Sequence, residues 1–336
     1  MFVVKLGITG LEASPIGFGG IPLQRNSEAE ASRIVRTAVD KGINFFDSAR
    51  GYTDSEHKIG LGLQGVRGNV VLATKSMART ARELASDIDT SLREFATDYI
   101  DIYQCHNVRS AAELSQLLGP KGGCEALIQA QADGKIGHIG ITGHKPEVVL
   151  QAIQQFPFAT VQFPYNFLEQ QNKDELIKAA KTRELGIIIM KPLAGGAIRK
   201  ADLALRFLLG QELGVIIPGM DSLAQVQQNT DLVQPFIALT EAERQELAAD
   251  VAGLASDFCR RCEYCLPCPV GIHIPSMFLF EGYYTRYNLP EWALERYAAA
   301  PVKASECIKC GQCEEKCPYT LPIRDKLAKV HSLLGL

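Results

Sequence analysis

Gly186-Ile187-Ile188-Ile189-Met190 is an unbroken apolar run, β-branched at its centre and too short for a helix. A run of this kind suits a strand buried on both faces, as in a parallel sheet covered by helices. Similar short runs lie on either side: Ile16–Phe18, Asn44–Phe46, Val70–Ala73, Ile100–Cys105, Ile136–Ile141, Thr160–Phe163 and Val215–Ile217. Helical patterns separate them, at Glu28–Lys41, Glu56–Leu63, Ala81–Phe95, Cys124–Asp133, Glu147–Phe156, Asp174–Leu185, Asp202–Leu209 and Leu223–Val233. Ser27, Thr80 and Ser222 stand where N-caps belong, and Pro146 suits a first helical turn. Eight strands, each followed by a helix, predict an α/β fold of the (β/α)8 TIM-barrel type. An open doubly wound sheet is the rival, and the count closing at eight argues against it.

The whole chain has 336 residues, which suits one large α/β domain with an appendage. Its 46% hydrophobic and 22% charged content is enough for a packed core. The net charge is −3 and no run of Lys and Arg occurs, which argues against a nucleic-acid partner. No apolar stretch approaches the ~20 residues that span a bilayer. The N-terminus lacks the pattern of a secretory signal, so the expected location is the cytoplasm.

Thr240–Ala255 reads as a charged amphipathic helix at the outer end of the barrel. The composition then turns rich in Cys, Pro, Tyr and Arg. The expected domains are residues 1–255 for the barrel and 256–336 for a smaller α-rich module.

In a barrel, residues at the C-terminal ends of strands face the active site. Asp47, Lys75 and His106 each follow a candidate strand, and Tyr52 closes the run Asp47-Ser48-Ala49-Arg50-Gly51-Tyr52. Singly, each has an ordinary reading as a paired charge, a loop tyrosine or a core histidine. Together they form a proton-transfer set. A free tyrosine has a pKa near ~10, and an adjacent ammonium lowers it. Lys75 supplies that cation and Asp47 holds Lys75. Tyr52 is then a general acid for a carbonyl oxygen, with His106 orienting the same oxygen. Cys105 should point away from His106 on its strand, as a core residue, and Cys124 is likewise structural.

This arrangement resembles the aldo/keto reductase family. The Asp-Ser-Ala-x-x-Tyr run at Asp47–Tyr52, the Ser55-Glu56 continuation, the strand-end Lys75 and His106 match its Asp–Tyr–Lys–His tetrad in order. The likeness covers about Val3 to Asp250. It implies an NAD(P)-dependent oxidoreductase that interconverts a carbonyl and an alcohol, with a small-molecule substrate. It also implies cofactor contacts. Thr142 and Gln162 match carboxamide contacts, with Gly143 where the family often has Asn. Met190 replaces a stacking aromatic before Lys191-Pro192-Leu193. The run Ile217-Pro218-Gly219-Met220-Asp221-Ser222 resembles the adenosine-phosphate segment, and Gln228 and Asn229 match adenine contacts. NADP-selective members carry Lys and Arg where this chain has Gly219 and Gln225. A 2′-phosphate favours a cationic fork. NAD is therefore expected at least as readily as NADP, unless a residue such as Arg199 or Lys200 reaches in.

The chain has ten cysteines, and eight fall after Phe258. In a reducing compartment such a grouping reads as a metal site rather than disulfides. Cys307, Cys310, Cys313 and Cys317 follow C-x2-C-x2-C-x3-C, with Pro318 next. This is bacterial ferredoxin spacing, in which the fourth cysteine serves the other cluster. Cys259, Cys262, Cys265 and Cys268 are evenly spaced, with Pro269 next. By that logic Cys259, Cys262, Cys265 and Cys317 hold one [4Fe–4S] cluster, and Cys307, Cys310, Cys313 and Cys268 hold a second. Zinc is the alternative, but zinc sites use separated C-x2-C pairs. The module resembles the ferredoxin-like extension on an iron–sulfur branch of the same family.

Hydride moves two electrons at once and each cluster carries one, while no flavin motif is evident. The clusters are then structural, or they relay electrons to another cofactor or a redox protein partner. The competing functional class is a non-catalytic electron carrier or redox sensor on a barrel scaffold.

Overall fold

The computed structural model describes residues 3–170, 173–254 and 257–335. By compactness the chain divides into two units. One comprises Met1–Pro192 and Asp202–Leu239, and the other Leu193–Ala201 and Thr240–Leu336. The domain boundary expected at residues 255 and 256 lies outside the described residues.

The first unit begins with an antiparallel pair, β1 (Val4–Lys5) and β2 (Glu12–Ala13). Eight parallel strands follow: β3 (Phe18–Gly19), β4 (Phe45–Asp47), β5 (Val71–Ser76), β6 (Ile100–Cys105), β7 (Ile136–Thr142), β8 (Thr160–Pro164), β9 (Gly186–Met190) and β10 (Val215–Ile217). Each pairs with the next in sequence. The ring closes where Gly17 N–H donates to Ile216 O at 2.8 Å and Gly19 N–H to Pro218 O at 2.9 Å. The unit is the expected (β/α)8 barrel.

The first expected strand starts later than its apolar run suggested. Ile16 makes only a single bridge, to Ile216. An additional helix, Ala111–Leu118, stands between β6 and the helix Gly123–Ala132. Ser110 caps it, accepting from Glu113 N–H at 3.2 Å. The expected caps at Ser27, Thr80 and Ser222 each accept a backbone N–H, and Pro146 opens its helix.

The barrel floor is apolar. Phe45, Val71, Ala73, Ile102, Ile188, Val215 and Ile217 pack together with Leu6, which follows β1, and Ala13 of β2. The β1–β2 pair lies at the N-terminal ends of the strands, since Gly7 bridges to Leu185 just before β9. Side chains alternate across a strand, so the residue two further on shares the face. Two residues beyond Phe45, Ala73, Ile102 and Ile188 come Asp47, Lys75, Gln104 and Met190. Three of the strands that seal the floor with hydrocarbon therefore present a polar side chain toward the mouth, and β9 presents Met190.

The second unit is helical among its described residues. Glu241–Ala252, Ile274–Thr285, Pro290–Ala299 and Ile323–Leu334 are its longer helices. By compactness the helix Glu241–Ala252 belongs here rather than with the barrel. Asp250 on it accepts from the backbone of Arg199, which lies in the same unit. Ile272, Ile274, Met277, Phe278, Tyr297, Leu321, Leu327 and Val330 form part of a core of their own. Cys259, Cys268, Cys307, Cys313 and Cys317 pack against it.

Candidate active site

The structure brings Asp47, Lys75, Tyr52 and His106 together. Lys75 Nζ donates to Asp47 Oδ2 at 2.5 Å and to Ser48 O at 2.7 Å. Both side chains are almost fully buried, at 1% and 4% exposure. Burial pulls the Lys75 ammonium below the ordinary lysine range, and the Asp47 carboxylate opposes that shift. Lys75 Nζ lies 5.0 Å from the centre of the Tyr52 ring. The Tyr52 and His106 rings meet edge to face, with centres 6.0 Å apart.

Local structure explains the placement. Tyr52 sits in a tight turn: its N–H donates to Ala49 O at 3.0 Å, and Ser55 N–H donates to Tyr52 O at 2.9 Å. Thr53 completes the turn with φ of +46°. His106 follows β6 directly and is fixed by its N–H donating to Ser76 O at 2.8 Å. Its Nδ1 is buried with no hydrogen-bond partner among the described residues. Burial, reinforced by the cations Lys75, Arg79 and Lys191, holds its pKa well below the usual histidine value. The imidazole is therefore neutral at neutral pH.

Three supporting groups were not singled out from sequence. Gln104 Nε2 donates to Asp47 Oδ1 at 3.1 Å, so both oxygens of that carboxylate are engaged. Gln104 lies two residues before His106, and strand alternation alone could have flagged it. Arg79 donates to the carbonyls of His106 and Asn107 at 2.9 and 3.1 Å and pairs with Glu113 at 2.9 Å. No spacing rule announces that contact. Arg50 pairs with the buried Glu56, which also accepts from Thr74 at 2.6 Å and Ser91 at 2.9 Å. This ties the start of helix Ser55–Leu63 to β5, and with it the turn carrying Tyr52.

Cys105 is fully buried, as expected of a core residue. Its contact with the buried Cys124, together with burial, holds the thiol well above the ordinary range. Both thiols are free.

The expected cofactor residues occupy the later strands. Thr142 ends β7, is fully buried, and accepts from Asn107 N–H at 2.7 Å. Gln162 lies in β8 with its Oε1 buried and without a partner. Met190 ends β9 half-buried, and Pro192 and Leu193 straddle the division between the two units. After β10, Gly219 packs so that a Cβ would come within 2.6 Å of the Pro22 ring. Gln225 Oε1 accepts from Asp221 N–H at 2.8 Å. Asn229 is buried and Gln228 exposed. Arg199 and Lys200 are tied within the second unit: their N–H groups donate to Asp250, and Lys200 Nζ pairs with Glu246 at 2.5 Å. The cation beside this segment is Arg25, whose Nη2 lies 2.7 Å from Asp221 Oδ2. No local pattern in the sequence points to it.

In the second unit, eight thiols line two cavities. One is walled by Cys259, Cys262, Cys265 and Cys317, together with Arg260, Glu263, Phe278 and Tyr319. The other is walled by Cys268, Cys307, Cys310 and Cys313, together with Ile308, Arg324 and Leu327. Ile274 contributes to both walls. Among the described residues, no three Cys, His, Asp or Glu side chains stand close enough to share a single metal ion.

Residues 15–202 match the family model described as the aldo/keto reductase family, and residues 258–322 match a 4Fe-4S dicluster domain. The chain belongs to the aldo/keto reductase family and is an oxidoreductase of that type with an iron–sulfur domain. It is similar to L-galactose dehydrogenase of Arabidopsis thaliana, with 28% identity over 285 residues, covering 70% of this chain and 88% of that one. The solved aldo-keto reductase AKR11C1 from Bacillus halodurans, in its holo form, shares the fold. It superposes with a TM-score of 0.65 at 23% identity, over 74% of this chain and 96% of that one. An aldo-keto reductase from Klebsiella pneumoniae, solved in complex with NADPH, gives 0.64 at 23% identity, over 74% and 94%. No helix among the described residues is long and apolar enough to cross a membrane.

Proposed function

We propose that the protein interconverts a carbonyl and an alcohol using a nicotinamide dinucleotide, with Tyr52 as the general acid and base. The observation that carries this reading is the meeting of Asp47, Lys75, Tyr52 and His106 from three successive strand ends, around a buried ion pair.

A nicotinamide supplies or accepts the hydride when bound. Tyr52 holds the proton at its hydroxyl, for delivery to the carbonyl oxygen in reduction and for recovery in oxidation. The phenolate left behind is stabilised by the Lys75 cation 5.0 Å from the ring centre. Asp47 holds that cation in place, and Gln104 holds Asp47. The neutral His106 orients the same oxygen. Gln162 fits a carboxamide, since its buried Oε1 has no partner among the described residues and an amide N–H supplies one. Thr142, Met190, Pro192, Leu193, Gly219, Gln225, Gln228 and Asn229 complete the proposed contacts. The relative crystallised with NADPH supports a nicotinamide dinucleotide as the class.

The same proposal assigns two [4Fe–4S] clusters to a module at residues 256–336. Cys259, Cys262, Cys265 and Cys317 hold one, and Cys307, Cys310, Cys313 and Cys268 the other, in line with the two four-thiol cavities. Clusters supply one-electron steps when assembled. Their role is structural, or they relay electrons to a redox protein partner.

Anaerobically purified protein, assayed for iron, labile sulfide and the oxidation of NADH or NADPH by a panel of aldehydes and ketones, tests the reading. Zinc in place of iron would overturn the cluster assignment. Iron-loaded protein inert toward every carbonyl and alcohol would favour the electron-carrier class.

A further inference from the structure

We infer that Arg25 and Asp221 form the device that sets preference between a 2′-hydroxyl and a 2′-phosphate on the bound dinucleotide. The inference rests on the proposed placement of the adenosine end at the loop after β10.

The pair is built into two loops at the seam where the barrel closes. Arg25 ends the short helical turn Ile21–Arg25, which follows β3. Asp221 lies in the loop between β10 and the helix Leu223–Asp231. The loops are locked together. Arg25 Nη2 sits 2.7 Å from Asp221 Oδ2, and Asn26 Nδ2 donates to Asp221 O at 3.0 Å. Gln225 receives the Asp221 N–H. Pro22, in the same turn as Arg25, fills the space where a side chain at position 219 would start. The loop after β10 therefore takes its cation from across the seam, and that cation arrives already paired.

Both partners are about one-fifth exposed, so a ligand can reach them. The loops after the last two strands are where barrels of this kind commonly bind phosphate. A carboxylate accepts a hydrogen bond from a ribose 2′-hydroxyl, whereas an Arg fork accommodates a 2′-phosphate. With the pair intact, Asp221 presents the acceptor and its charge repels a phosphate. With the carboxylate removed, the Arg25 guanidinium turns to the phosphate.

Equilibrium titrations of iron-loaded protein with NADH and NADPH, read by nicotinamide fluorescence or calorimetry, test this without turnover. Wild type is expected to bind NADH at least as tightly as NADPH. Asp221→Asn should tighten NADPH about tenfold, with NADH changed little. Arg25→Gln should weaken NADPH alone, and the double variant should lose the gain. If the pair merely staples two loops, each variant weakens both nucleotides in parallel. That result, or a large wild-type preference for NADPH, overturns the inference while leaving the cofactor reading intact. Wild type that binds neither nucleotide overturns both.

Discussion

Lys75 Nζ lies 2.5 Å from Asp47 Oδ2, and both side chains are closed off from solvent. Removing one member of such a pair strands the other as an uncompensated buried charge, at a cost of about 3–5 kcal/mol. Asp47→Ala should therefore lower the thermal midpoint as well as abolish carbonyl reduction. Lys75→Met should also destabilise. Combining it with Asp47→Leu should recover stability without activity. Thermal melts of the three variants beside rate assays check this.

Gln104 is a positioning residue, acting through Asp47. Gln104→Leu removes the 3.1 Å hydrogen bond and leaves Lys75 as the carboxylate's remaining side-chain anchor. The expected loss in kcat is about tenfold, the rate equivalent of one hydrogen bond to a charged group. KM should move little. A role confined to packing would lower stability while leaving the pH profile of kcat in place. The account expects that profile to shift, because the Asp47–Lys75 pair faces Tyr52.

His106 carries a pH signature. Its folded pKa lies well below the usual histidine value, so near and below pH ~6.5 the unfolded chain binds a proton that the native chain refuses. Stability is therefore fully present above that pH and declines as pH falls. His106→Asn should flatten this decline. The difference in melting temperature between variant and wild type, followed from pH ~7.5 down to ~5, measures it. Equal slopes would show that His106 is protonated in the native state.

Much of this was legible in the chain. The eight strands, the four tetrad residues and the two cysteine groups could be read because each rests on local periodicity or fixed spacing. Gln104 obeyed the same alternation and was overlooked. Arg25 could not be read, since its partner Asp221 is 196 positions away and only barrel closure brings them together. The helix Ala111–Leu118 was missed although Ser110 and Glu113 mark its start. The partners of Arg199 and Lys200 were illegible for a comparable reason. Asp250 and Glu246, distant in sequence, hold them in the second unit.

The cysteine assignment separates from simpler alternatives by single substitution. Cys268→Ser should damage the cluster of Cys307, Cys310 and Cys313, and Cys317→Ser that of Cys259, Cys262 and Cys265. Each variant should retain about half the iron, with different residual paramagnetic spectra after reduction. If Cys268→Ser and Cys317→Ser instead disturb the clusters of their own sequence motifs, the crossed pattern fails.

Proton delivery by Tyr52 is tested most directly in a single turnover. Iron-loaded wild type and Tyr52→Phe should be compared in a single turnover with nicotinamide-deuterated NADH or NADPH, an aldehyde accepted by wild type, and product analysis by mass. The account predicts deuterium on the carbinol carbon for wild type. For Tyr52→Phe it predicts a rate lower by about 10²–10⁴-fold, with nucleotide affinity retained. Undiminished deuteride transfer by Tyr52→Phe would contradict it.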